Sequence, residues 1–218
     1  SDVISAIAGT RGVQGGAIKL EGRDVVPMSV LERRQQGIAG IPEDRLAQGL
    51  AVGASVAENL VSTRLTDKRF VRSGLLDLKA IKAQAQTLID RFSIRVSGPQ
   101  AAVATLSGGN MQKVVVAREL AKQPKLLLVA QPTRGVDLGA TQFIWKTIAN
   151  ARDAGTAVLL TSADLSELLA LSDRLLVFYR GKIVAAFRNS ETVSPETLGT
   201  YMLGLRAQTP DEMREALA

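Results

Sequence analysis

Residues 106–113 read Leu-Ser-Gly-Gly-Asn-Met-Gln-Lys, and a helical pattern follows them as far as Leu120. The chain then breaks at Pro124, continues as an apolar run over 126–129, and reads Ala-Gln-Pro-Thr-Arg-Gly-Val-Asp over 130–137. A Gly-rich turn before a helix presents backbone N–H groups and the positive end of the helix dipole, which suit an anion. This stretch therefore predicts a helix that begins in a Gly-rich turn, where an anion could bind, and a buried strand after that helix.

The composition limits the chemistry that the chain can perform. Its 218 residues suit one large domain, or a core with a smaller subdomain. It contains no Cys and no His, which excludes a disulfide scaffold, thiol catalysis and the commonest general base. The net charge of +6 suits nucleotides, nucleic acid or an anionic membrane, but the lack of a dense Lys/Arg block favours an ordinary basic surface. No apolar run approaches the roughly 20 residues of a membrane span and no signal peptide opens the chain, so we expect any membrane role to come through a partner.

The spacing of apolar residues predicts strands that alternate with helices. The expected helices cover 1–8, 29–36, 52–60, 79–92, 108–121, 139–153, 164–171 and 195–203, and the expected strands cover 17–21, 38–41, 126–130, 157–161, 174–179 and 182–187. A basic loop at 66–77 and a polar tail after 203 complete the prediction. The alternation predicts an α/β fold with a mostly parallel sheet between helices, and the helix-rich middle predicts an inserted helical subdomain.

Two interpretations of residues 107–109 stay open on the residues alone. The Ser107 hydroxyl and the backbone of Gly108 and Gly109 could bind an anion together. Equally, Ser107 could be an ordinary helix N-cap after a turn.

Two further segments could carry acidic chemistry. In nucleotide hydrolases, a strand such as 126–129 often ends in two acids that support Mg²⁺ and polarise the attacking water. Here Ala130 and Gln131 occupy those places, and neither carries a negative charge. After the next apolar strand, Asp164 and Glu167 could form a carboxylate pair, but their spacing favours a helix cap and an acid in the first helical turn.

The order and spacing of these segments resemble the ATP-binding cassette (ABC) transporter ATPases over nearly the whole chain. Residues 106–110 are similar to the ABC signature, and 132–137 are similar to the D-loop region, with Asp137 as its aspartate. Ser-Asp-Arg at 172–174 is similar to the segment after the switch region. Ile-Pro-Glu-Asp-Arg at 41–45 occupies the Q-loop place, with Glu43 where most cassettes have Gln.

The resemblance implies a three-layer, P-loop NTPase-like ABC ATPase core. Residues 1–218 would form one ABC ATPase domain that lacks its first strand and its Walker A loop. Its core would comprise about 1–52 and 125–218, and its helical signature subdomain about 53–124. The patterns at 41–45, 107–113 and 131–140 resemble the second, C-terminal cassette of fused double-cassette importer ATPases for simple sugars and nucleosides, and Gly-Leu-Leu-Asp at 74–77 leans towards the nucleoside branch.

Departures from the family pattern predict that this chain's own site is degenerate. No Gly-x-x-x-x-Gly-Lys-Ser/Thr loop is present, and Ser1 falls where the family has the last residue of that loop, which makes it the expected cofactor-binding residue. The family's Mg²⁺-supporting Asp maps to Ala130, its catalytic Glu to Gln131 and its switch His to Ala163. With Glu43 at the Q-loop place, no intact catalytic set and no metal site are expected.

The resemblance also implies a mechanism in which two cassettes sandwich ATP head to tail. This chain would offer Ser107, Gly108, Gly109, Asn110 and Asp137 to ATP held by a partner cassette, expected N-terminal in the same parent polypeptide. ATP and Mg²⁺ are the expected cofactors of the assembled transporter, with none bound tightly by this fragment. The parent subunit resembles an ATP hydrolase, whereas the fragment alone is predicted to be inactive.

Membrane permease subunits are the other implied partners, contacted near the Q-loop and the helical subdomain, which implies a place on the cytoplasmic face of a bacterial plasma membrane. Two alternatives stay open. The chain could be a non-transport ABC-type dimerisation or regulatory module. It could also be a nucleic-acid-binding ABC ATPase, which only the net charge suggests and for which no aromatic stacking platform is visible; no nucleic acid is therefore expected.

A final expectation concerns the sheet. We expect the family strand that precedes the phosphate loop to lie beside strand 126–130. Its absence would leave that strand without a neighbour, and the gap would be closed by collapse or by pairing between chains.

Overall fold

The computed structural model describes residues 2–72, 74–190 and 192–217, apart from the side chain of Arg72. The chain divides into two compact units, Ser1–Thr161 and Ser162–Ala218. Each unit has buried apolar clusters of its own.

The first unit consists of a parallel sheet, the helices that cover it and a helix-rich segment. Its strands and helices, in chain order, are α1 (Asp2–Ala8), β1 (Lys19–Leu20), β2 (Arg23–Asp24), α2 (Val30–Gln35), β3 (Ile38–Ile41), α3 (Val56–Val61), β4 (Val71–Arg72), β5 (Leu75–Leu76), α4 (Leu78–Arg91), α5 (Gly108–Leu120), β6 (Leu126–Ala130), α6 (Leu138–Asp153) and β7 (Ala157–Thr161). A π-helical turn, Arg45–Gly49, follows β3. That residues 53–124 form a separate helical subdomain stays a prediction.

The parallel sheet has the strand order β3-β6-β7. Ile38 pairs with Leu126 on one side of β6, and Ala157 pairs with Leu126 on the other. The expectation that strand 126–130 lacks a neighbour is therefore wrong. The physical reason is the order of the crossovers, which insert β6 between the two other strands, so that its backbone groups are satisfied on both sides. Among the described residues, β3 and β7 each pair with β6 alone and are the two edge strands of this sheet.

Alternating side chains of β6 enter two different apolar clusters, as the period of a strand requires. Leu127 and Val129 pack in the larger cluster with the buried residues of α5 and α6. Leu126 and Leu128 pack in the smaller cluster with α1, including Ile4. Helices thus cover both faces of the sheet, which confirms the three-layer α/β prediction for this unit.

Local capping explains where many helices begin. Ser29 and Glu32 form a capping box at the start of α2, as the sequence predicts, and Ser55 and Glu58 form another at α3. The second box makes α3 begin at Val56, later than the expected start at 52. These carboxylates accept hydrogen bonds from the N-cap serines, which lower the pKa of Glu32 and of Glu58.

The second unit contains an antiparallel hairpin and three helices. Its elements are α7 (Leu165–Leu171), β8 (Arg174–Tyr179), β9 (Lys182–Arg188), α8 (Pro195–Met202) and α9 (Pro210–Leu217). Asp164 caps α7 and accepts from the Ser166 N–H at 2.8 Å, so the prediction of a cap rather than a carboxylate pair is confirmed. β8 pairs with β9 as predicted.

Several of the described elements were not predicted. Among them are β2, the π-helical turn after β3, the β4–β5 hairpin inside the expected basic loop, and α9 in the expected polar tail. In the part of the chain that the structure describes, no helix is long and apolar enough to cross a membrane.

Candidate functional site

The candidate site begins at the turn that leads into α5. Ser107 is the N-cap, with extended backbone angles, and its Oγ accepts from the Asn110 N–H at 3.4 Å and from Asn110 Nδ2 at 3.0 Å. The Asn110 Oδ1 in turn accepts from the Arg95 N–H at 2.8 Å. The N–H groups of Gly108 and Gly109 have no intrahelical acceptor because they lie in the first helical turn, and no acceptor for them is found among the described residues. The turn therefore holds the exposed Ser107 hydroxyl beside the N–H groups of a half-buried Gly108 and a buried Gly109, for which the described residues supply no acceptor.

Both glycines of this turn are packed too closely to carry a side chain. A Cβ on Gly108 would lie 2.8 Å from Arg45 Nη2 and 3.1 Å from the Gly135 carbonyl oxygen. A Cβ on Gly109 would lie 2.7 Å from the Ala140 Cβ and 2.8 Å from Asp137 Oδ2. Gly108 therefore packs against Arg45 and the turn after β6, and Gly109 packs against the start of α6.

Asp137 is the N-cap of α6, and its Oδ1 accepts from the Ala140 N–H at 2.9 Å. This bond is the main cause that lowers the pKa of Asp137, so the carboxylate stays ionised at neutral pH. Lys113, one helical turn further along α5, donates to the Ser93 carbonyl oxygen at 3.0 Å and lies 4.3 Å from the centroid of the Phe143 ring. Burial lowers the pKa of Lys113.

The structure therefore brings together all five residues that the sequence assigned to a partner's ATP. They are Ser107, Gly108, Gly109, Asn110 and Asp137, and they lie at the adjoining N-termini of α5 and α6.

Three of the residues predicted as degenerate positions, Ala130, Gln131 and Glu43, lie at the carboxyl ends of the neighbouring strands β6 and β3. Ala130 is the buried last residue of β6, and Gln131 follows it with a φ of +48°, its N–H donating to the Thr161 carbonyl oxygen at 2.8 Å. Glu43 follows β3 and accepts from Arg134 Nη1 at 2.7 Å. Ala163 belongs to the second unit. Ser1, the expected cofactor-binding residue, lies outside the described residues.

Arg45 is a residue of this site that the sequence reasoning missed. Its Nη1 donates to the Arg134 carbonyl oxygen at 2.7 Å and its Nη2 donates to the Gly135 carbonyl oxygen at 3.2 Å. The sequence pattern at 41–45 includes Arg45, but the acceptors of its hydrogen bonds lie 89 and 90 residues away. No local pattern therefore reveals the contact that Arg45 makes.

A cleft of about 1090 Å³ opens beside this region, along the carboxyl ends of β3 and β6. Its rim includes Glu43, Arg134 and the half-exposed apolar side chains Leu31 and Leu65. Clefts at the carboxyl ends of parallel strands are common binding places in α/β proteins.

A buried ionic network forms part of the wall of this cleft. Glu119 Oε2 accepts from Arg34 Nη2 at 2.6 Å and from the Gly40 N–H at 3.2 Å. Its Oε1 accepts from Arg118 Nε at 2.8 Å, and Arg118 Nη1 donates to the Gly49 carbonyl oxygen at 2.6 Å. These bonds connect α5 to α2, to β3 and to the π-helical turn, so the cleft has a rigid wall.

The described residues fit a phosphate group better than a metal ion. A hydroxyl and two free N–H groups at a helix N-terminus suit an anionic oxygen. In contrast, the described part of the chain contains no group of three or more acidic, His or Cys residues that could hold a metal, and Ala130 offers no ligand atom.

Comparison with protein families gives a match to the family described as "ABC transporter" over residues 1–134. Among curated proteins, the chain is 37% identical over 204 residues to the nucleoside import ATP-binding protein NupA of Lactococcus lactis. It is equally identical to the guanosine import ATP-binding protein NupO of Bacillus subtilis, and 37% identical over 206 residues to a ribose import ATP-binding protein of Shouchella clausii. Each alignment covers 94% of this chain and 40% of the relative. The chain thus spans less than half the length of these relatives.

Solved structures show the same fold. A dimeric ATP-binding cassette in a post-hydrolysis state bound to ADP and phosphate matches with a TM-score of 0.72 and 18% identity, over 87% of this chain and 80% of that one. A nucleotide-free cassette from an ABC transporter also has a TM-score of 0.72, with 21% identity over 100% of this chain and 82% of that one. The predicted ABC ATPase fold is therefore confirmed.

Proposed function

Because this chain belongs to the ABC transporter family, we propose that it is an ATP-binding, energy-coupling domain of an importer. In this proposal, the domain acts on ATP that a partner cassette holds. The observation that carries the proposal is a contrast within the first unit. The turn at 107–109 is tightly packed and presents free N–H groups, whereas the end of β6 carries Ala130 and Gln131 where hydrolysis needs acids.

The chemistry offered by this chain is stabilisation of phosphate charge. Ser107 Oγ already accepts two hydrogen bonds from Asn110, so its own proton is available to an outer acceptor. Together with the N–H groups of Gly108 and Gly109, it can donate to a terminal phosphate oxygen as negative charge develops. Asp137, ionised beside Gly109, fixes the start of α6 against this turn.

This chain's own site is not proposed to hydrolyse ATP. The residues present at the end of β6 do not fit Mg²⁺, since Ala130 has no ligand atom and Gln131 has no charge. Ser1 remains the proposed point at which this half would touch a nucleotide of its own. Ala163, in place of a general base or hydrogen-bonding His, adds no proton acceptor.

Two kinds of protein partner follow from this proposal. The first is a cassette with an intact phosphate loop, proposed to lie N-terminal in the same polypeptide; the 40% coverage of the relatives leaves room for it in proteins of that length. The second is a membrane permease, for which the cleft of about 1090 Å³ with its apolar rim is a suitable docking place. The protein would then act at the cytoplasmic face of the membrane.

The proposed cargo is a nucleoside or a simple sugar. The support is that the relatives are import ATP-binding proteins for nucleosides, guanosine and ribose. In the proposed division of the chain, residues 1–52 and 125–218 form the core and residues 53–124 form a helical part. The turn at 107–109 belongs to this helical part.

The experiment is steady-state ATP hydrolysis by the assembled subunit, in which this chain is joined to its partner cassette. Ser107→Arg and Gly109→Arg should abolish hydrolysis, because the new side chain fills the phosphate place and, at Gly109, meets Asp137 and Ala140. We expect losses of about 100-fold or more, the size of losing an oxyanion donor.

Gln131→Ala is the matched comparison at the degenerate site. It should lower hydrolysis by less than about threefold, because no catalytic acid is removed. Equal losses from Gln131→Ala and Ser107→Arg would show that the proposed asymmetry is wrong.

A further inference from the structure

We propose that Arg45 is a positioning residue that holds the Ser107–Gly109 turn in register with the turn after β6. This inference rests on the function proposed above and adds a residue to it. The argument starts from where Arg45 lies. It opens the π-helical turn after β3, whose backbone is fixed by Asp44, since Asp44 Oδ1 accepts from the N–H groups of Leu46 at 2.9 Å and Ala47 at 3.0 Å. The Arg45 side chain thus leaves a rigid base.

The guanidinium of Arg45 closes over the turn that follows β6. Its two terminal nitrogens donate to consecutive carbonyl oxygens, those of Arg134 and Gly135. Gly135 has a φ of +67°, a conformation that favours glycine. A planar fork with two parallel donors matches two neighbouring carbonyls, and a Lys ammonium on a flexible stem does not.

The same guanidinium packs against the first residue of α5. The space for a Cβ on Gly108 is already taken by Arg45 Nη2, at 2.8 Å, and by the Gly135 carbonyl oxygen, at 3.1 Å. Arg45, Gly135 and Gly108 therefore pack together, and the Arg45 side chain contributes to the separation of the two turns. Arg45 Nε is buried and has no hydrogen-bond partner among the described residues, so the guanidinium is held by its two terminal nitrogens.

An ion pair also connects the segment after β3 to the segment after β6, and it does not involve the turn at 107–109. Arg134 Nη1 pairs with Glu43 Oε1 at 2.7 Å, and both side chains are largely exposed, at 68% and 41%. Exposed pairs of this kind contribute little. The Arg45 guanidinium, by contrast, packs against Gly108 itself, so it is the contact that bears on the position of Gly108.

The first test is structural and uses the chain itself. Arg45→Lys and Arg45→Met should shift the backbone amide resonances of Gly108, Gly109 and Gly135 in a ¹H–¹⁵N spectrum. The resonances of β6 should stay in place, because β6 is paired on both sides. Arg214→Met, which removes an arginine that is 79% exposed in an ion pair on α9, is the matched control and should leave all three glycine signals unmoved. Unchanged glycine signals in both Arg45 variants would overturn the inference.

The second test is kinetic and uses the assembled subunit with MgATP. Both Arg45 variants should lower kcat by about tenfold or more, the cost of misplacing a binding group. KM should change by less than about threefold, because the partner cassette holds most of the nucleotide and the lost contact matters in the transition state. Gly108→Ala should give a similar loss, since its methyl group displaces the guanidinium. The double variant Arg45→Met/Gly108→Ala should lose no more kcat than either single variant, as expected for residues that act as one unit.

The outcomes separate this inference from the proposed function. If Ser107→Arg abolishes hydrolysis while Arg45→Lys keeps full kcat, the function stands and the role of Arg45 is refuted. Additive losses from Arg45→Met and Gly108→Ala would also refute it. If Ser107→Arg itself has no effect, the proposed function fails, whatever Arg45 does.

Discussion

Asp67 shows how one carboxylate organises its neighbours between α3 and β4. Its oxygens accept from Arg69 Nη2 at 2.6 Å, from Arg69 Nε at 3.1 Å and from Arg64 Nη2 at 3.3 Å. Arg64 is almost fully buried and lies 4.9 Å from the centroid of the Phe70 ring. The hydrogen bonds from Arg69 are the main cause that holds the pKa of Asp67 well below its usual range.

This lowered pKa leads to a prediction about acid stability. A carboxyl with a lower pKa in the folded state stabilises the fold above its unfolded pKa of about 3.9 and loses that contribution as pH falls further. Asp67→Asn should therefore lower the free energy of unfolding by about 1.5–3 kcal/mol at pH 7, the value of hydrogen bonds to a charged group. The difference from the unsubstituted chain should shrink as pH falls below about 4.

Urea unfolding at several pH values measures this difference. Asp211→Asn is the control, because Asp211 is 89% exposed in its pair with Arg214 and its loss should change stability by less than about 0.5 kcal/mol. A difference for Asp67→Asn that stays constant from pH 7 to pH 3 would contradict the assignment.

The residues of the candidate site differ in how readily a sequence reveals them. Ser107, Gly108 and Gly109 form a local pattern, a cap followed by glycines at the start of an apolar helix, and the structure places them next to Asp137. Arg45 could not be found this way. Its role depends on acceptors in a distant turn, and no propensity or period records a contact of that kind.

The placement of α1 depends on one buried side chain. Arg33, on α2, is 3% exposed and donates to four carbonyl oxygens. Two of them belong to Ala6 and Ile7 at the end of α1, at 2.6 and 2.9 Å. The last carbonyls of a helix have no intrahelical donor, so Arg33 completes the C-terminus of α1 and ties it to α2.

We therefore expect Arg33→Met to release α1 from the sheet. The buried carbonyl oxygens lose their donor, and amide exchange over residues 6–8 should become about tenfold faster or more. Exchange in β6 should change much less. Arg11→Met is the control, because Arg11 pairs with Asp2 at the other end of α1 with a side chain that is 59% exposed. Equal acceleration in both variants would show that Arg33 is not the anchor.

The elements themselves were predictable where capping and periodicity agree. The Ser29 box, the Asp164 cap, the β8–β9 hairpin and the three parallel strands were all expected from local patterns. α9 was missed although its signal is present, since the Thr209 N–H and hydroxyl both bond to Glu212 Oε2, at 2.6 and 2.9 Å. The π-helical turn at 45–49 was not predicted; a Cβ on its last residue, Gly49, would lie 3.3 Å from Val115 of α5, a distant contact that no local pattern records.

The isolated chain is expected neither to bind MgATP tightly nor to hydrolyse it. The turn at 107–109 offers donors to a phosphate but no group that retains a nucleotide, and Ala130 and Gln131 supply no acid. Titration calorimetry with MgATP should therefore show no micromolar binding, and phosphate release should match that of a Ser107→Arg variant. Micromolar affinity or steady hydrolysis by the isolated chain would contradict this expectation.

The parallel sheet makes one last prediction, which replaces the mistaken expectation about β6. The N–H of Ala157 donates to the Lys125 carbonyl oxygen and the Thr161 carbonyl accepts from Gln131, both towards β6. Since backbone groups alternate along a strand, those of Val158 and Leu160 point to the open edge. Amide exchange at these two residues should be about tenfold faster or more than at Leu127 and Leu128.

An unpaired apolar edge can also pair with another chain. Light scattering should therefore show concentration-dependent association. Strong protection of Val158 and Leu160 in a strictly monomeric chain would show that this edge is already covered.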